Sequence, residues 1–291
     1  MSTATGTSVG RSAAAPVWLA GPGALLFIGL IVLPLALTMI LSFHVYDHST
    51  GIKNEFTLAH YAAVFTDDYY LGIFWRTLRL AALTTLICAV IGAPEAYILS
   101  RMRDPWRSVF LLAIIGPLLV SVVVRAFGWS MLLGSTGLVN QGLQALGLGS
   151  VRLLYTETAI VIALVHVMLP FMVIPVWTAL QKLDPMVEAA AWSLGASHAT
   201  ALRRVVLPQV SLGMLSGSLI VFGLSASAFA IPGLLGGRRL KMAATLVYDE
   251  YMHELNWPLG ATIAIVVLAA NLVIMLAYNR VVETRARKAL G

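Results

Sequence analysis

Six long apolar runs separated by more polar segments set the pattern of this chain; they cover residues 17–43, 73–99, 108–133, 158–180, 209–231 and 259–281. Each is long enough for the roughly 20 apolar residues a helix needs to cross a bilayer core. None alternates with a period of two, so helices are expected rather than barrel strands. Pro34, Pro117, Pro170 and Pro175 fall inside the runs. Membrane helices tolerate them where neighbouring helices, hydroxyl side chains or water satisfy the freed carbonyls. The expected fold class is therefore all-α and polytopic, with six transmembrane helices.

The first run follows a polar N-terminal segment, residues 1–16. It exceeds the roughly 7–15-residue apolar core of a cleavable signal, and its Ala-rich stretch lies on the wrong side of it. We read it as a retained helix. The chain has 291 residues, 59% of them hydrophobic and 11% charged. A soluble domain carries about a quarter charged residues, so lipid is the main solvent here. The net charge of +6 does not point to nucleic acid, because the basic residues sit beside apolar runs rather than in a stripe. Topology accounts for them. With the N-terminus inside, the inner segments hold Arg11, Arg101, Arg103, Arg107, Lys182, Arg203, Arg204, Arg280, Arg285, Arg287 and Lys288. The outer ones hold Lys53, Arg152, Arg238, Arg239 and Lys241, and they collect the acids Asp47, Glu55, Asp67, Asp68, Glu157, Asp249, Glu250 and Glu254. Both termini, including a tail at 282–291, are expected to be cytoplasmic. An outer loop then spans 44–72, and a core spans 73–281. Within the outer segment 134–157, Leu138, Val139, Leu143 and Leu146 are spaced for a short helix on the interface.

The inner loop at 181–208 contains DPMVEAAAWSLGASHATALRRVVLP. Asp184 is a good N-cap, Pro185 suits the first helical position, and Glu188 falls near the positive end of the dipole. Val187, Ala190, Ala191 and Leu194 form one apolar stripe. Gly195 should end this helix, and Ser197 should cap a second one running through Arg203-Arg204 to Leu207-Pro208. A finger projecting from the bilayer is one outcome; an amphipathic loop lying on the headgroups is the other.

Glu188-Ala189-Ala190, then Gly195, then Leu207-Pro208 resembles the coupling-loop signature of the inner-membrane permease subunits of binding-protein-dependent ABC importers, type I. LLYTETAIVIALVHVMLPFMVIPVWTALQKLDP, GSLIVFGLSASAFAIPGLLGG and LNWPLGA are similar to the spermidine/putrescine-type branch, and the resemblance covers roughly 73–278. It implies a bacterial inner-membrane protein, with the first helix preceding a shared core of five. It also implies that Glu188, Ala189, Ala190, Gly195, Leu207 and Pro208 form the contact with a cytoplasmic ATPase. The implied partners are a second permease, most simply in a heterodimer, two ATPase subunits and a periplasmic solute-binding protein. Ala191-Trp192 departs from the charged residue that many relatives carry there.

The chain offers no chemistry of its own. No Gly-Lys dipeptide occurs, so a P-loop is absent. There is no HExxH, and Cys88 is the single cysteine, so neither a catalytic residue, a metal site nor a cofactor is expected. Gly213-Met214-Leu215-Ser216-Gly217 reads as close helix packing. A charge inside the bilayer costs at least about 2.5–3.5 kcal/mol, which singles out Arg125. Arg125, with Trp129 one turn on, either faces a cavity between subunits or reaches the outer headgroups. His166 is the third pathway candidate, against a plain packing role. Arg76 and Arg79 are expected to snorkel, and Glu95 to pair with Arg101 or cap local structure. The solute implied is small and polar, a polyamine-like or related amino compound, although Arg125 leaves anionic and zwitterionic solutes open. The competing class is an ion-coupled secondary transporter, which needs no ATPase.

Overall fold

The computed structural model describes residues 15–237 and 239–290. The N-terminal segment as far as residue 14, with Arg11, and also Arg238, lie outside the described residues. Helix α1 (Ala15–Leu41) is followed by an antiparallel hairpin of β1 (His44–Asp47) and β2 (Gly51–Phe56). Asp47 organises its turn: one carboxylate oxygen accepts from the Ser49 amide and the other from Lys53 Nζ, both at 2.8 Å. After α2 (Ala59–Thr66), α3 runs from Asp68 to Arg101, capped by the Asp67 side chain on the Tyr69 amide at 2.8 Å. The loop expected at 44–72 is thus a hairpin and a helix, and α3 starts before the apolar run does.

The run at 108–133 is not one helix. It divides into α4 (Trp106–Ile115), a 3₁₀ turn (Gly116–Leu119) and α5 (Val122–Leu133). Pro117 has no amide hydrogen to continue the ladder, and Val120 and Ser121 are extended, with ψ of 136° and 135°. The expected short helix follows as α6 (Leu138–Ala145). Next come α7 (Glu157–Gln181), α8 (Pro185–Ser193), α9 (His198–Ala201), a π-helical turn (Leu202–Val206) and α10 (Leu207–Gln209). The run at 209–231 is also broken. Its helix, α11 (Ser211–Ala226), bends by 67° from the segment before it and stops ahead of α12 (Ala230–Leu235). Helices α13 (Ala243–Met252) and α14 (Trp257–Leu290) complete the chain. Among the described residues five helices are long and apolar enough to cross a membrane, or six if the bent pair is one span.

Helix α7 is the axis of the bundle. Ile160, Leu164, Met172 and Val176 are buried along it, and it packs against both α3 and α11. Glycines allow this close approach. A Cβ on Gly213 would lie 2.7 Å from Ala179 Cβ, and one on Gly217 would lie 2.8 Å from Met172 Sδ. Between helices in lipid, where the hydrophobic drive is absent, such contact of backbones supplies the attraction. Helix α1 touches the bundle chiefly through α14, and its side chains from Gly21 onward are largely uncovered.

The two ends of the bundle carry different polar devices. Glu157, at the start of α7, accepts from Arg76 at 3.3 Å and also pairs with Arg79. Arg76 donates further to the Lys241 carbonyl at 3.2 Å. These two arginines therefore brace α3 against α7 instead of snorkelling, because a carboxylate stands within reach on the neighbouring helix. At the opposite end Arg101 pairs with Glu188, not with Glu95.

Candidate functional site

The loop at 181–208 folds as two short helices joined by a glycine turn. The Asp184 carboxylate accepts from the Met186 amide at 2.9 Å and Pro185 takes the first turn, so α8 begins where a side-chain acceptor and a missing amide hydrogen coincide. The helix ends at Leu194, and Gly195 adopts φ +82°. Only glycine enters that region at little cost. Ser197 Oγ then accepts from the Thr200 amide at 3.3 Å to open α9. A π-helical turn carries the exposed Arg203 and Arg204 before α10 returns to the bundle.

The two sides of α8 differ sharply. Met186, Val187, Trp192 and Leu194 are exposed, Leu194 to 89%. Ala190, Gly195 and Pro208 lie on the surface, while Ala189 and Leu207 are half-buried. Glu188 is only 2% exposed. Its carboxylate pairs with Arg101 and accepts from the Tyr97 hydroxyl at 2.6 Å, and the Arg101 guanidinium lies 5.3 Å from the Tyr97 ring centre. The carboxylate therefore faces the chain's own bundle, not the outward contact surface implied for it. Tyr97 and Arg101 are one helical turn apart on α3 and present two donors to one acid. The sequence hid this partnership, because 91 residues separate Tyr97 from Glu188.

The three pathway candidates come together well away from the finger. Trp129 Nε1 donates to His166 Nδ1 at 3.2 Å, with ring centres 5.6 Å apart and edge-on, and Arg125 is close enough for its charge to act on His166. His166 lies nine residues into α7, about 13 Å along the axis from Glu157 at 1.5 Å per residue. Arg125 Nε and Nη1 are buried without a hydrogen-bond partner among the described residues. Sequence reasoning missed a further pocket, a cavity of about 360 Å³ between α5, α12 and α13 whose walls include Phe127, Phe229, Tyr248, Lys241 and Asp249. Among the described residues no three His, Cys, Asp or Glu side chains converge as metal ligands do.

The fold is thus a bundle of membrane-length helices with a two-helix loop at one end. The sequence comparison identifies the kind: the chain belongs to the family described as binding-protein-dependent transport system inner membrane component, whose profile matches residues 69–288. It is therefore an inner-membrane permease of an ABC importer, not a member of the secondary-carrier class. It is 30% identical over 263 residues to the spermidine/putrescine transport system permease protein PotB of Haemophilus influenzae, covering 90% of each chain. Two solved structures share the fold. One is a bacterial ABC transporter that imports the acidic polysaccharide alginate, with TM-score 0.75 and 17% identity, covering 94% of this chain and 96% of that one. The other is the alginate transporter in complex with its alginate pentasaccharide-bound periplasmic protein, with TM-score 0.74 and 20% identity, covering 91% and 94%.

Proposed function

We propose that this chain is one half of a permease pair in an importer that takes up a polyamine-like or related amino compound, and that its finger receives the push of a cytoplasmic ATPase. The observation that carries the coupling role is the two-sided α8. Its outward face holds exposed Val187, Trp192 and Leu194, while its inward Glu188 is tied to Arg101 and Tyr97. A force on the outer face passes through the ion pair to α3, and from α3 to α7 and α11 through glycine-spaced contacts. Both termini and the finger are assigned to the cytoplasm, where the basic residues collect. The PotB relative supports an amino-compound solute, and the alginate transporter complex supports delivery by a periplasmic binding protein. Coupling then requires that ATPase closure favour one arrangement of the bundle through differential contacts.

Co-purification in mild detergent tests this reading. The wild-type complex should retain two copies of a P-loop ATPase and a second permease, and Leu194→Asp should shed the ATPase while inserting normally in the membrane. A wild-type protein that transports with no ATPase attached would defeat it.

A further inference from the structure

The cavity between α5, α12 and α13 has an acid at one wall and aromatic rings at the others. Phe229 and Tyr248 pack with ring centres 4.7 Å apart, and Phe127 adds a third ring. Asp249 holds Lys241 Nζ at 2.7 Å on one carboxylate oxygen, and His253 Nδ1 lies 3.3 Å from the other. A lysine already lines this pocket, its primary ammonium carried on a flexible four-carbon stem. Carboxylate together with aromatic faces is the chemistry that recognises such a group.

We propose that this cavity is a binding site for a solute bearing a primary ammonium group, and that Lys241 is the tethered stand-in which the solute displaces from Asp249. The inference rests on the importer reading and specifies its solute class. Both partners of the pair are about one-quarter exposed, so an incoming cation can reach Asp249. Exchange of one ammonium for another leaves the carboxylate paired at the end. Of the nearby arginines, Arg76 and Arg79 are engaged by Glu157. Glu254 is a further acid on the same segment, while burial raises the Glu250 pKa above its usual range and so favours its neutral form. A volume of about 360 Å³ falls within the roughly 300–1,000 Å³ of small-molecule pockets.

Equilibrium binding of radiolabelled putrescine and spermidine to the assembled permease–ATPase complex, without binding protein, tests the site, with a neutral sugar as control. Wild type should bind the amines saturably and the sugar not at all. Asp249→Asn should weaken amine binding at least tenfold. Lys241→Gln should tighten it about threefold or more, because the carboxylate is vacated. A purely structural ion pair predicts the reverse for Lys241→Gln, a loss matching that of Asp249→Asn, and that result would overturn the proposal. So would a wild-type complex that ignores both amines, or an Asp249→Asn variant that binds them unchanged. In each of these cases ATPase co-purification still stands or falls separately, so failure of the site is distinguishable from failure of the importer reading.

Discussion

Two carboxylates brace the ends of this bundle, and they do so under different conditions. Glu157 shares two arginines while a third of its side chain stays exposed; Glu188 is all but sealed, with one arginine and one tyrosine. Water substitutes for a lost partner more readily at Glu157 than at Glu188. An acid left unpaired in a dry site is costly, whereas a redundant half-exposed pair forgives single losses. The first arrangement suits a static brace. The second suits the proposed coupling role, in which the joint must not slip when the loop is pushed.

Replacing the buried joint should give the largest effect. Arg101→Ala strands the Glu188 charge, and breaking a buried pair in this way costs about 3–5 kcal/mol, toward the lower end here because Arg101 itself reaches solvent. Binding-protein-stimulated ATP hydrolysis should fall to the basal rate in proteoliposomes. At the other end the double replacement Arg76→Ala with Arg79→Ala should lower thermal stability by about 1–2 kcal/mol, the cost of an acceptor partly rescued by water. Tyr97→Phe removes one hydrogen bond to a charged group, worth about 1.5–3 kcal/mol when fully buried and less here, and should slow stimulated hydrolysis severalfold without abolishing it. Arg79→Ala alone should cost under about 1 kcal/mol, because Arg76 remains on Glu157. Lys53→Ala, on the open hairpin, should leave uptake and melting temperature unchanged. If Arg79→Ala proved as damaging as Arg101→Ala, the contrast between the two ends would be lost.

Much of this architecture is legible in the sequence, and the limits are physical. The finger's ends are written locally: Asp184-Pro185 starts it, Gly195 turns it and Ser197 restarts it. Hydropathy finds α1 and α7 equally well but cannot rank them. One is largely uncovered and the other is the core, because lipid and protein interior are both apolar. The break in the third run had a signal, Gly116-Pro117, that the length of the apolar stretch overrode. The stop after Ala226 has no comparable marker. Cross-helix partnerships were out of reach: Glu188 lies 91 residues from Tyr97, and Arg76 lies 81 from Glu157. For the same reason the sequence pairs Arg125 with Trp129 one turn on, while the meeting of Trp129 with His166, 37 residues away, required the fold.

The most direct test of the joint is a double-mutant cycle on stimulated ATP hydrolysis, measured in proteoliposomes with the complete transporter and loaded binding protein. Glu188→Gln and Arg101→Gln are compared singly and together. If the pair transmits force as a unit, the double variant should hydrolyse within about twofold of either single variant, because the second change removes nothing further. Losses that multiply, or a Glu188→Gln transporter that keeps the wild-type stimulated rate, would contradict it.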